Sequence, residues 1–201
     1  MPSTADASRA LASARAPRRD AVRNEQRVIE AARAAFAERG PDASMEEIAA
    51  RAGVGVGTIY RRFAGKDALL DAIAEQLSAE LDAAADAALD DGDAERGLLT
   101  FLDYVGRFTS EKRLYSAALL DRLGERTDRP VTNAKVEQLT VNAVAAGVLS
   151  SDVTGADIKA LLVALRGVME ALPEADDERW RRFVRVHIDG LRPSGGTPLA
   201  S

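Results

Sequence analysis

Wherever apolar residues recur regularly along this chain, they do so with a helical period. Val28, Ala32, Ala35 and Phe36 fall at i, i+4, i+7 and i+8, which predicts a helix from about Asp20 to Arg39, ended by Gly40-Pro41. Met45, Ile48, Ala49 and Ala52 then fall at i, i+3, i+4 and i+7. Ser44 and Glu47 just ahead of that face have the spacing of a capping box, and Gly53 supplies a left-handed stop. A second short helix is expected over Val56 to Arg62, anchored by Ile59 and Phe63. A long one follows from Lys66 to about Asp90, with Leu69, Leu70, Ile73, Leu77 and Leu81 as its stripe. Further stripes predict helices over Ala94–Thr109, Lys112–Gly124, Pro130–Ala146, Ala156–Leu172 and Asp176–Leu191. The fold class is therefore all-α, with about nine helices.

The two short helices and the glycines between them form a helix-turn-helix pattern. Such motifs lay the N-terminal part of their second helix against base edges in the major groove. With Ile59 and Phe63 turned inward, Val56, Gly57, Thr58, Tyr60 and Arg61 lie on or near the outer face. Gly55 and Gly57 have no side chain, so backbone can approach a duplex closely. Thr58 can reach a phosphate, a base edge or a thymine methyl. Arg61 and Arg62 add positive charge, and Lys66 opens the next helix, where free N–H groups suit a phosphate. Gly53-x-Gly55-x-Gly57 is not a dinucleotide loop: that fingerprint is G-x-G-x-x-G after a strand, and position 58 is Thr.

Residues 20–80 closely resemble the DNA-binding domain of the TetR-like (tetracycline-repressor-like) regulators. The resemblance rests on R-V-I-E-A-A-R-A-A-F-A-E-R-G (27–40), S-M-E-E-I-A-A-R-A-G-V (44–54), G-T-I-Y-R-R-F (57–63) and G-K-D-A-L-L (65–70), in that order. It implies that Thr58, Tyr60 and Lys66 contact DNA and that Ser44 contacts a backbone phosphate. Relatives often carry polar residues where this chain has Gly55 and Val56.

Charge is unevenly distributed. Through Lys66 there are 12 Lys and Arg against 8 Asp and Glu; thereafter there are 15 against 24, for a net charge of −5. A basic first part and an acidic remainder suit a protein that offers one end to a polyanion. Residues 1–17 read as a disordered basic arm. Arg15, Arg18, Arg19 and Arg23 stand just ahead of the first helix, where such an arm tracks phosphates or enters a minor groove. The expected domains are the helix-turn-helix domain over 18–65, a helical domain over 66–192 and a loose tail over 193–201. With no Cys there is no disulfide or thiolate site. No run is long enough for a membrane span, and the first residues lack the apolar core of a signal peptide; the expected location is cytoplasmic.

The helical domain carries the remaining chemistry. Phe101, Tyr104, Phe108, Tyr115, Leu119, Asn142, Leu162 and Arg166 combine apolar surface with a few polar groups, the usual form of a small-ligand site; core filling by the same aromatics is the competing reading. The last two helices carry the stripe Leu161, Leu165, Met169 and then Trp180, Phe183, Val184, His187, Leu191. Faces this wide would otherwise be exposed, and two such helices resemble the four-helix dimer interface of the TetR-like family. His187 is the only His and lies on that stripe, so it cannot build a His-based metal cluster. Asp90, Asp91 and Asp93 around Gly92 read as a solvated cap. No metal and no cofactor are expected, and no catalytic residue stands out. The resulting expectation is a repressor that binds a palindromic double-stranded DNA operator as a homodimer and is released by a small-molecule effector. Ligand control is what the resemblance implies. An enzymatic or protein-adaptor role of the helical domain is the alternative.

Overall fold

The computed structural model describes residues 23–111, 130–171 and 177–193. Among them are eight α-helices and no strand: α1 (23–39), α2 (Met45–Ala52), α3 (Val56–Arg62), α4 (Lys66–Leu89), α5 (Ala94–Glu111), α6 (Pro130–Ala145), α7 (Gly155–Ala171) and α8 (Asp177–Gly190). The helix expected over Lys112–Gly124, the arm with Arg15, Arg18 and Arg19, and the tail beyond position 193 lie outside the described residues. The chain divides into two compact units, Met1–Ile73 and Ala74–Ser201, with the division inside α4.

In the first unit the core is built from the stripes read above. Val28, Ala32, Ala35 and Phe36 of α1 are buried, as are Met45, Ile48, Ala49 and Ala52 of α2, Ile59 of α3, and Phe63. Ile48 and Ile59 are fully enclosed. A one-turn 3-10 helix over Gly40–Asp42 joins α1 to α2, with Gly40 at positive φ.

The second unit closes around Leu98, Phe101, Leu102, Leu139, Leu149, Ile158, Leu165, Met169 and Trp180. Trp180 fits because Gly106 faces it: a Cβ at 106 would run into the indole ring. Gly155 serves a similar close approach, since a Cβ there would meet Glu137 of α6. The second half of α4 is tied to α6, where Thr132 donates to Asp82 and Lys135 pairs with Asp86 at 2.8 Å. The acidic turn caps α5: Asp93 accepts from the Arg96 N–H at 3.0 Å, and the Asp91 carboxylate pairs with the Arg96 guanidinium at 2.5 Å. That guanidinium holds the Asp91 carboxyl below its ordinary value.

Candidate nucleic-acid interface

The local sequence builds this site from three caps. Ser44 accepts from the Glu47 N–H at 3.1 Å while its own N–H donates to the Glu47 carboxylate at 2.9 Å, a complete capping box. The Ser44 N–H, with Arg39 alongside, holds the Glu47 carboxyl below its ordinary value. A serine hydroxyl that accepts within the cap still has a proton to donate outward. Gly53, at φ 67° and ψ 35°, ends α2. Its N–H donates to Ala50 and the Val54 N–H to Ala49, the paired bonds that close a helix through a left-handed residue. The Thr58 N–H then reaches the Gly55 carbonyl at 2.8 Å, and α3 begins without a side-chain cap.

Burial of Ile59 turns the opposite side of α3 to solvent. Tyr60 is 52% exposed, Gly57 and Arg61 are exposed, and Val56 and Thr58 are half-buried. Arg61 folds back along its own helix: Nε donates to the Gly57 carbonyl and a terminal nitrogen to the Thr58 hydroxyl, both at 3.2 Å. Lys66 is the first residue of α4 and half-buried. Around the motif, ion pairs join the helices of the unit. Arg51 grips Glu38 with two bonds, at 2.7 and 2.5 Å, Arg39 meets Glu47, and one terminal nitrogen of Arg62 reaches both oxygens of Glu25 at 2.7 and 2.8 Å.

The second unit distributes its candidate residues differently. Phe101 is buried in the core, and Leu162 packs partly buried against it. Tyr104 and Phe108 are half-buried neighbours on α5, their rings 6.4 Å apart. Asn142 accepts from Gln138 of its own helix at 2.9 Å, and Arg166 is half-buried on α7. Tyr115 and Leu119 lie outside the described residues. A cleft of about 260 Å³ between α5 and α8, lined among the described residues by Leu99, Asp103, Trp180, Arg181, Val184, Arg185, Ile188, Asp189 and Arg192, includes none of the six described candidates.

The stripe expected at a dimer interface is placed mostly inside one protomer. Leu161, Leu165, Met169, Trp180 and Val184 are all at most 6% exposed within it. Phe183 and Leu191 are half-buried, and His187 is exposed. The imidazole lies against Phe183, ring centroids 4.0 Å apart, and its Nδ1 is 2.8 Å from the Phe183 carbonyl. The neighbouring face of α7 is exposed instead: Ala160, Val163, Ala164, Gly167 and Ala171, with Val163 71% exposed. The described residues contain no group of three or more His, Asp or Glu placed to hold a metal. No helix among them is long and apolar enough to cross a membrane.

The sequence profile of the tetR family of bacterial regulatory proteins matches residues 28–73, the region of these caps and of α3. The profile of the SbtR-like transcriptional regulator C-terminal domain matches residues 93–193, half of the chain. A TetR transcription regulatory protein from Mycobacterium vanbaalenii is 34% identical, with a TM-score of 0.64 over 88% of this chain and 99% of its own. The chain belongs to the TetR family. A family member from Streptomyces coelicolor superposes with a TM-score of 0.67 at 27% identity, over 84% of this chain and 98% of its own. A gamma-butyrolactone receptor described as ArpA-like shares the fold, with a TM-score of 0.60 over 87% of this chain and 91% of its own, at 23% identity. No curated protein matches the sequence. Both matching profiles describe regulators, so this TetR-family chain is a transcriptional regulator with a helix-turn-helix DNA-binding domain.

Sequence reasoning missed Glu25. It is 37 residues from Arg62 and carries no local signal. A carboxylate and a guanidinium that meet across two helices are visible only once α1 and α3 are packed.

Proposed function

We propose that this TetR-family regulator is a repressor: a homodimer that binds a palindromic operator and is released by a small-molecule effector, in the cytoplasm. The observation that carries the DNA-binding part is the outer face of α3. There Gly57, Thr58, Tyr60 and Arg61 stand together around an enclosed Ile59. In this reading Thr58, Tyr60 and Arg61 meet the groove and its edge with Val56 beside them, Gly57 allows close approach, and Ser44 and Lys66 hold phosphates. Arg18 and Arg19 extend the contact as a basic arm. The division of labour runs from 18–65 for DNA to 66–192 for effector and dimer, and α4, which belongs to both units, carries the coupling. Coupling requires that the effector bind two states of the regulator unequally. A gamma-butyrolactone receptor of the same fold is a precedent for small-molecule control.

Burial within the protomer redirects the dimer proposal. The outward face of α7 is Ala160, Val163, Ala164, Gly167 and Ala171, which fall at i, i+3, i+4, i+7 and i+11 and carry no charge. Val186 of α8 is 58% exposed. A helix that is apolar on its inner and its outer face needs a second partner. We therefore place α7 of one protomer against its copy through this small, smooth face. A two-fold dimer reads two half-sites together, which multiplies the specificity of a short helix.

The test is fluorescence anisotropy on the DNA beside the chain's own gene, titrated against random duplex and repeated over a salt series. Preferential binding to one inverted repeat is expected, weakening as salt rises because phosphate contacts release counterions. Tyr60→Ala with Lys66→Ala should lower affinity at least tenfold in a protein that keeps its helical circular dichroism. Undiminished binding by that folded variant would remove α3 from the interface.

A further inference from the structure

Arg62 is the last residue of α3, two positions after Tyr60 and four before Lys66. A guanidinium between two groups proposed to face DNA is expected to reach for a phosphate. Instead it is turned to Glu25 near the start of α1, with one terminal nitrogen at 2.7 and 2.8 Å from the two carboxylate oxygens. The Arg62 side chain is 64% exposed and that of Glu25 30%. Exposed ion pairs contribute little to stability, and Arg51–Glu38 and Arg39–Glu47 already tie α1 to α2. Of these three pairs, the one with Glu25 alone involves α3. A carboxylate offers a guanidinium the same two-oxygen face that a phosphate does. The pair is electrically neutral, so it adds nothing to counterion release from a duplex.

We propose that Glu25 is a built-in phosphate mimic that holds Arg62 back from the DNA backbone and so restrains sequence-independent binding. The chemistry follows from what each contact contributes. Phosphate contacts strengthen binding to any sequence alike, whereas base contacts distinguish the operator. Removing one phosphate contact from the reading helix therefore lowers the background against which base contacts are read. Glu25 acts through Arg62 and is a positioning residue; it touches neither base nor backbone in this scheme.

The proposal rests on α3 being the DNA-reading helix, and a double-mutant cycle separates the two. Wild type, Glu25→Gln, Arg62→Gln and the double variant are titrated as full-length protein against a short random-sequence duplex over a salt series. Thermal melts confirm that all four fold. In Glu25→Gln the freed Arg62 should raise random-duplex affinity several-fold and steepen the slope of log K against log salt by about 0.9, the value of one phosphate contact. Made in the Arg62→Gln background, the same Glu25 change should alter neither. An equal gain in both backgrounds would mean that Glu25 merely repels DNA, and it overturns the proposal. A Glu25→Gln slope equal to that of wild type would mean that Arg62 already meets a phosphate, and it overturns the proposal too. If wild type shows no salt-dependent binding to DNA at all, the reading of α3 fails with it; salt-dependent binding with either adverse result leaves that reading standing.

Discussion

Helices α2 and α7 carry the same kind of apolar signature, yet they meet their surroundings differently. In α2, Met45, Ile48, Ala49 and Ala52 are buried, and the other side shows Glu46 and Arg51 to water. One face is apolar and one is polar, so the stripe leaves a single choice of inside. In α7, Ile158, Leu161, Leu165 and Met169 are buried, but Ala160, Val163, Ala164 and Gly167 on the opposite side are uncharged as well. Two apolar faces leave two ways to seat the helix. The larger side chains go inward, because they bury more area per residue, and the smaller ones stay exposed. The place to look for an interface is the residual face.

The largest expected effect breaks the inner face. Leu165 is fully enclosed, so Leu165→Ala should destabilise the protein by about 2–5 kcal/mol through lost burial and the cavity left behind. Chemical denaturation measures it, and a loss of less than about 1 kcal/mol would contradict the inward placement.

The next sharpens the outer face. Val163→Glu sets two carboxylates near one another across a two-fold contact, and like charges so placed repel by several kcal/mol. The dimer should weaken at least a hundredfold, about 2.7 kcal/mol, while the protomer keeps its helices. Sedimentation equilibrium reads the first quantity and circular dichroism the second. A dimer of wild-type strength would move the interface elsewhere.

The smallest concerns α2, where only the cap is at stake. Ser44→Ala should cost about 1 kcal/mol. Acid acts on the same cap through Glu47. Its folded-state carboxyl is held below the unfolded value, so its contribution is complete above that unfolded value and fades as the pH falls through the folded one. Glu38, held down by Arg51, follows the same sign. Wild type should therefore lose more stability than Glu47→Gln between neutral pH and the acid end of the carboxylate range, measured by thermal melts. Parallel losses in both proteins would remove the capping box from the account.

These differences follow how far apart the interacting residues lie. The capping box spans three residues and the Gly53 closure about five, so both were legible from spacing. So was the outer face of α3, since Ile59 and Phe63 determine which side is inner. The candidate effector residues were less legible. Phe101 fills the core as the competing reading had it, and Asn142 is engaged by Gln138 one turn away. Aromatic and amide side chains serve a core and a pocket equally well, and composition does not distinguish the two. His187 was read as part of an apolar stripe, but it sits at the edge of that stripe and is exposed.

By itself the sequence determined the helices, their caps and stops, the helix-turn-helix and the side of α3 that faces outward. All of these depend on neighbours within about two turns, where backbone hydrogen bonding and the 3.6-residue period decide the outcome. Only the tertiary structure decided that Glu25 takes Arg62, that Trp180 rests on Gly106, and which of two apolar faces α7 turns inward. Each joins residues tens of positions apart, or weighs two faces of similar polarity. There the choice depends on shape and packing volume across helices, which no local pattern encodes.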